Sequence, residues 1–93
     1  MIADKIKNYY GFAKKSGALV VGSDKIMLSS NLYLILVNEE LAQNSIDRLK
    51  RRSQKLDCPI LTFKNEEFRV FEQNENIKAV AIKSKELAKA MQK

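Results

Sequence analysis

The chain has 93 residues, enough for one domain with a modest hydrophobic core, and we treat residues 1–93 as a single domain. Its 45% hydrophobic and 30% charged residues are typical of a folded globular protein and argue against disorder. The 17 Lys and Arg exceed the 11 Asp and Glu, so the net charge of +6 predicts a polyanionic partner, nucleic acid first and an anionic membrane surface second. The absence of His excludes His-dependent triads.

The first third of the sequence predicts two helices around a short strand. Apolar residues at helical spacing predict an amphipathic helix over about residues 4–16. Residues 18–21 are continuously apolar and predict a brief strand, which Gly22 closes. Ser23 or Asp24 can then cap a short second helix.

The middle of the sequence predicts two buried strands around a basic helix. Residues 32–37 are all apolar, which is typical of a strand covered on both faces. A third helix is predicted from residue 41 or 44 to residue 56, and residues 59–63 predict the next strand. The face of this helix opposite its apolar stripe carries four cations, Arg48, Arg51, Arg52 and Lys55.

The C-terminal third continues the alternation. Asn65 is predicted to cap a short helix, and the polar residues 73–76 predict a loop. Residues 77–82 predict a strand, and Ser84 is predicted to cap a final helix that ends near Gln92. The helices and strands alternate, and the strands are predicted to be covered on both faces. This order predicts a three-layer α/β/α sandwich around a mixed or mostly parallel four-stranded sheet.

The sequence offers no catalytic constellation. Cys58 is the single cysteine, so neither an internal disulfide nor a zinc cluster is possible, and no Gly-rich phosphate loop is present. We therefore expect no enzyme activity, no cofactor and no metal. The longest apolar run, residues 32–37, is too short to cross a bilayer, so we expect a cytoplasmic protein that does not enter a membrane.

The basic excess lies in the first part of the chain. Residues 1–56 carry ten Lys and Arg against five Asp and Glu. Within them, Lys14 and Lys15 end the first helix, and Gly22 begins a strand-to-helix turn where a backbone can approach an anion closely. Capping alone is the simpler explanation of the polar residues in that turn. The cations of the third helix could bind phosphates or form a solvated face.

Residues 10–22 resemble the opening of the small kink-turn RNA-binding proteins related to ribosomal proteins L-seven-Ae and L-thirty-e, particularly the short bacterial members. Residues 32–37, 57–60, 79–82 and 87–90 resemble later parts of that family in the same order, so the resemblance covers nearly the whole chain. It implies the three-layer sandwich with a mixed sheet.

The resemblance also implies where RNA would bind. Family members hold a kinked RNA through a G-x-N-E-x-x-K turn and pack an apolar loop, before the last strand, on a flipped-out base. The matching turn here begins at Gly22, with Asp24 in place of Asn, Lys25 in place of Glu and Leu28 in place of Lys. An ionised Asp has lost the amide donors and can only accept hydrogen bonds.

The residues and the resemblance together predict a non-catalytic, ribosomal-protein-like RNA-binding protein for kink-turn or other structured RNA. The expected RNA contacts are Gly22, Ser23, Asp24, Lys25, Lys14, Lys15, Ile77 and Lys78. Lys14 and Lys15 are expected to hold phosphates beside the turn. The alternative is a protein-interaction module that has lost kink-turn recognition and docks an acidic partner, or a second copy, on the helix Arg48–Lys55.

Overall fold

The computed structural model describes residues 2–92, in which helices and strands alternate along the chain. The elements are α1 (Ile2–Lys15), β1 (Leu19–Val21), α2 (Ser23–Leu28), β2 (Leu34–Asn38), α3 (Gln43–Leu56), β3 (Ile60–Phe63), α4 (Asn65–Phe71), β4 (Ala79–Ile82) and α5 (Lys85–Gln92). This order and these element types confirm the α/β class predicted from the sequence.

The strands form one mixed sheet in the order β1-β4-β2-β3. β4 is antiparallel to both of its neighbours, β1 and β2, whereas β2 and β3 are parallel. Every residue of the two central strands, β2 and β4, is buried. The continuous apolar run 32–37 had predicted a strand covered on both faces, and β2 confirms this prediction. β3 was also predicted to be buried, but it is an edge strand on which Thr62 is exposed.

Helices cover both faces of the sheet. α1, α4 and α5 pack on one face, and α2 and α3 pack on the other. Side chains alternate along β2, so Leu34 and Leu36 join the first core whereas Ile35 and Val37 join the second. The architecture is therefore a three-layer α/β/α sandwich.

An aromatic cluster centred on Phe71 fixes α1 and α4 against the sheet. Its ring centroid lies 5.4 Å from those of Tyr10 and Phe63 and 4.9 Å from that of Phe68. The rings are tilted or edge-on, an arrangement that contributes about 0.5–1.5 kcal/mol per pair beyond the burial of apolar area.

Several element boundaries differ from the sequence prediction by one or two residues, and β2 spans Leu34–Asn38 and not residues 32–37. β4 begins at Ala79 and not at residue 77, because Ile77 closes a turn in which its N–H donates to the carbonyl of Asn74 (3.0 Å). α4 has Lys64 as its N-cap, so the predicted capping role of Asn65 is wrong. The predicted cap of α5 is confirmed, since Ser84 Oγ accepts a hydrogen bond from the N–H of Leu87 (3.3 Å).

Candidate nucleic-acid interface

Two segments that are far apart in the sequence meet at one end of the sheet. They are the turn after β1 and the loop before β4, because β1 and β4 are antiparallel neighbours. The Gly22 N–H donates to the carbonyl of Ala79 (2.9 Å), and the Asn38 N–H donates to the carbonyl of Lys78 (2.8 Å). We call Gly22–Lys25 together with Ile77 and Lys78 the glycine edge. Six of the eight residues predicted to contact RNA lie there.

Gly22 has a backbone conformation that favours glycine. Its φ of 95° and ψ of 141° lie in a region that side chains rarely enter. Among the described residues, no neighbouring heavy atom lies within 4 Å of the position that a Cβ would take, so the backbone is open to a ligand. Gly22 is itself the N-cap of α2, and the predicted capping role of Ser23 or Asp24 is wrong.

The faces of α2 separate Lys25 from the cations of α3. Ile26 is fully buried beneath the helix, and Asp24 and Lys25 are exposed. Met27 lines a cleft against α3, and a helix turns by about 100° per residue, so Lys25 lies on the opposite flank of α2. Leu28, which replaces the family's Lys, is 87% exposed.

Lys14 and Lys15 lie at the other end of β1. α1 ends at Lys15, and Ala18, just before β1, accepts a hydrogen bond from the N–H of Lys83 (2.7 Å), which follows β4. Extended chain separates Ala18 from Gly22 by about 13 Å. The expected placement of the two lysines beside the turn is therefore wrong, and any phosphate that they bind belongs to a different part of the surface.

The cations of α3 form a continuous stripe, which we call the arginine stripe: Arg48, Arg51, Arg52 and Lys55. Their spacing of three and four residues places them on one face of the helix. Arg52 Nη2 donates to the carbonyl of Ser29 (2.7 Å) and so ties the end of α2 to α3. The stripe borders the cleft that Met27 lines, on the flank of α2 away from Lys25.

Arg69 organises the loop that leads to the glycine edge, and no pattern in the sequence indicates this role. Its guanidinium donates to the carbonyl oxygens of Glu72 (2.9 Å), Asn74 (2.5 Å) and Ile77 (2.8 Å). Three bonds from one planar group hold three successive parts of the loop. The spacing of Arg69 four residues after Asn65 indicates only the contact between these two side chains, in which Asn65 Oδ1 accepts from Arg69 Nε (3.2 Å).

The same network reaches the end of β2. Asn65 Oδ1 also accepts from Asn38 Nδ2 (2.9 Å), and Asn38 Oδ1 accepts from the N–H of Glu40 (2.9 Å). Asn38 is completely buried, so these bonds satisfy a polar side chain inside the fold. Side chains thus connect the loop before β4 with the loop after β2.

A buried carboxylate holds the beginning of that loop. Glu72 Oε1 accepts from the hydroxyl of Tyr10 (2.5 Å), and Oε2 accepts from the N–H of Asn74 (2.9 Å). Burial, and then the hydrogen bond to Glu72 and its charge, raise the pKa of the Tyr10 phenol. The phenol is therefore a hydrogen-bond donor at neutral pH.

The groups suited to catalysis or metal binding are few. Cys58 is buried, and burial followed by the charge of Asp57 raises the pKa of its thiol, which disfavours the nucleophilic thiolate. Residues 2–92 contain no group of three or more Cys, Asp or Glu side chains placed to hold a metal ion. In the same part of the chain, no helix is long and apolar enough to cross a membrane.

Comparison with known proteins supports the fold and gives no information on the function. No protein-family model and no curated protein matches the chain. Among solved structures, the chain is similar to a protein with unknown function from Bacillus halodurans C. The two share 13% sequence identity with a TM-score of 0.76, over 96% of this chain and 98% of the other. At that identity the likeness establishes the fold alone.

Proposed function

We propose that this is a non-catalytic, ribosomal-protein-like RNA-binding protein of the cytoplasm that binds structured RNA, kink-turn RNA first, at the glycine edge. The observation that carries the proposal is the contact between Gly22 and Ala79, which sets the turn after β1 beside the loop before β4 (2.9 Å). The resemblance to the kink-turn family implies contacts from these same two segments. The net charge of +6 supplies the general attraction to a polyanion.

Each part of the glycine edge has a role in this proposal. The open backbone at Gly22 lets a nucleotide approach closely, and the Ser23 hydroxyl can donate to it. Lys25 and Lys78 neutralise phosphates, and this contact supplies most of the affinity. Ile77, half-buried, offers the apolar surface against which a base can pack.

Asp24 supplies selectivity in place of affinity. It is exposed at the first turn of α2, and its carboxylate repels phosphates. A carboxylate accepts hydrogen bonds from base amino groups, so it favours nucleotides that present such a group at this position. Replacing Asp24 by Ala is therefore expected to change the preference among RNAs more than the mean affinity.

The test is a titration of fluorescently labelled kink-turn RNA, and of an unstructured RNA of equal length, over a range of salt concentrations. We expect tighter binding to the kink-turn RNA and a log–log salt slope of about 0.7 to 0.9 for each phosphate neutralised. The double variant Lys25→Ala/Lys78→Ala should lose affinity for both RNAs and reduce the slope by about 1.5.

A charge-matched control separates the glycine edge from general electrostatics. Lys83 and Lys85 follow β4 at the opposite end of the sheet, and both are exposed. The double variant Lys83→Ala/Lys85→Ala has the same net charge as Lys25→Ala/Lys78→Ala. It should bind the kink-turn RNA more tightly than Lys25→Ala/Lys78→Ala does. Equal losses in the two variants, or no binding by the unmodified protein at low salt, would contradict the proposal.

A protein-interaction module is the second candidate, and the exposure of Leu28 favours it. The Leu28 side chain is 87% exposed. It directly follows Met27, which lines the cleft beside the arginine stripe. A mixed apolar and cationic surface suits an acidic protein segment that carries an apolar residue. A protein retained after nuclease treatment, and released by the variant Arg48→Glu/Arg51→Glu, would support this candidate.

A further inference from the structure

The outer face of α1 carries an exposed aromatic ring between two cations. Phe12 is 64% exposed, although most aromatic side chains of this protein lie in the core. A shallow depression beside it is lined by Lys7, Asn8, Gly11, Phe12 and Lys15. None of these five residues is acidic, so the surface complements an anion.

Gly11 lines this depression without contributing a side chain to it. It lies in the interior of α1, where glycine weakens a helix, and it has no positive φ that would require glycine. Among the described residues, no neighbouring heavy atom lies within 4 Å of the place that a Cβ would occupy, so packing does not require glycine either. The remaining effect of Gly11 is to leave open space beside the Phe12 ring.

The helix spacing places the cations at the two ends of that space. Lys7, Gly11 and Lys15 are four residues apart and lie in one row along α1, with Asn8 and Phe12 in the next row. The Cα atoms of Lys7 and Lys15 are about 12 Å apart along the helix axis. Their flexible side chains can therefore reach phosphates on either side of a group that occupies the depression.

We propose that this surface, the α1 patch (Lys7, Asn8, Gly11, Phe12 and Lys15), binds one unpaired nucleotide of an RNA. The base stacks on Phe12 over Gly11, and the phosphates on its two sides pair with Lys7 and Lys15. The proposal rests on the proposed function, because it assumes that the ligand is RNA. It assigns the α1 patch to single-stranded RNA and the glycine edge to the structured part.

Physical chemistry favours an unpaired nucleotide over other anions. Every base has a flat π-face that stacks on an aromatic side chain, and cations beside the ring track the backbone. Bases inside a duplex are already stacked on one another and cannot cover Phe12. An acidic peptide would satisfy the two lysines, but it has no flat group that requires the space over Gly11.

The test compares a kink-turn RNA that carries a single-stranded uridine tail with the same RNA ending blunt, and with the uridine oligonucleotide alone. We expect Phe12→Ala to weaken binding of the tailed RNA and of the oligonucleotide by about five- to one-hundred-fold, and to leave the blunt RNA unchanged. Phe12→Tyr, which keeps the ring, should bind like the unmodified protein.

Gly11→Ala is the most discriminating variant. It should raise the thermal stability of the protein and still weaken binding of the uridine tail, because the new methyl group projects into the depression where the base would lie. Loss of binding cannot then be attributed to unfolding. Lys15→Ala should also weaken binding of the uridine tail, because Lys15 lines the depression. Lys14→Ala is its charge-matched control, since Lys14 is exposed on the same helix but does not line the depression.

Three results would overturn the α1 patch. They are unchanged binding of the tail by both Phe12→Ala and Gly11→Ala, equal weakening of tailed and blunt RNA by Phe12→Ala, and binding of a polyglutamate peptide in preference to the oligonucleotide. Failure of the proposed function has a different signature. The blunt kink-turn RNA would then not bind, whereas the uridine oligonucleotide would still bind and remain sensitive to Phe12→Ala.

Discussion

The hydroxyl of Tyr10 donates a 2.5 Å hydrogen bond to Oε1 of Glu72, and this contact joins α1 to the loop before β4 across 62 residues of sequence. Both residues are buried, Tyr10 at 5% and Glu72 at 5% exposure. The other carboxylate oxygen accepts from the N–H of Asn74 (2.9 Å). The first helix therefore helps to fix the loop that forms part of the glycine edge.

Tyr10→Phe should lower the stability of the protein by about 1–3 kcal/mol, because it removes a donor from a buried carboxylate and leaves the ring in place. The ring contact with Phe71, at 5.4 Å between centroids, should survive. The free energy of unfolding in urea measures the effect. Tyr9→Phe, at the half-buried neighbouring tyrosine, is the control and should change stability by less than about 0.5 kcal/mol. A Tyr10→Phe protein as stable as the control would contradict the prediction.

The contribution of Tyr10 should decrease at alkaline pH. Burial and the hydrogen bond to Glu72 raise the pKa of the folded phenol above its ordinary value of 10.0, so the unfolded chain loses this proton first. The stability gained is complete below pH 10.0 and is lost as the pH rises through the folded pKa. The difference in unfolding free energy between the unmodified protein and Tyr10→Phe should therefore shrink as the pH rises above 10.0. A difference that is independent of pH would show that the phenol is not perturbed.

The order of elements was predictable because the buried strands carry an unambiguous pattern. Residues 32–37 are continuously apolar, and β2 occupies most of that run with all of its residues buried. The position of Lys14 and Lys15 was not predictable in the same way. They are close to Gly22 in sequence, but β1 lies between them and Gly22. The two ends of an extended strand lie at opposite ends of the sheet, so the lysines and Gly22 are far apart.

The role of Arg69 could not be predicted, since its partners are main-chain groups. The carbonyl oxygens of Glu72, Asn74 and Ile77 carry no side-chain signal in the sequence. A half-buried arginine on a short helix has many possible partners, and only the folded chain selects among them. The resemblance predicted that the turn at Gly22 neighbours the loop before β4, whereas the side-chain network that supports this loop could not be predicted.

Arg69→Lys should loosen the loop before β4 although it keeps the charge. A lysine ammonium cannot reproduce the planar fork that donates to three carbonyls, so we expect a loss of about 1–3 kcal/mol in stability. Relative to the unmodified protein, the variant should show a larger increase in the rate of amide hydrogen exchange in residues 72–78 than in β4. Arg51→Lys, at an exposed position of the arginine stripe, is the control. Unchanged exchange in residues 72–78 would show that the loop does not depend on Arg69.

Alanine at two glycines should have opposite effects on stability. Gly22 has a φ of 95°, where a side chain is strained, so Gly22→Ala should cost about 1–3 kcal/mol. Gly11 lies inside α1, and Gly11→Ala should increase stability by about 0.5–1 kcal/mol. Within the described chain, a Cβ at either position would meet no neighbouring atom within 4 Å, so the comparison isolates the backbone.

Urea unfolding of the two glycine variants measures both signs, and equal slopes against urea would show that the unfolded states are comparable. Gly22→Ala should also weaken binding of the blunt kink-turn RNA, because a methyl group would occupy the open approach to the backbone. Gly11→Ala should leave that RNA unaffected and weaken only the uridine tail. If Gly22→Ala is as stable as the unmodified protein, the turn can adopt another conformation, and its geometry is not what positions the glycine edge.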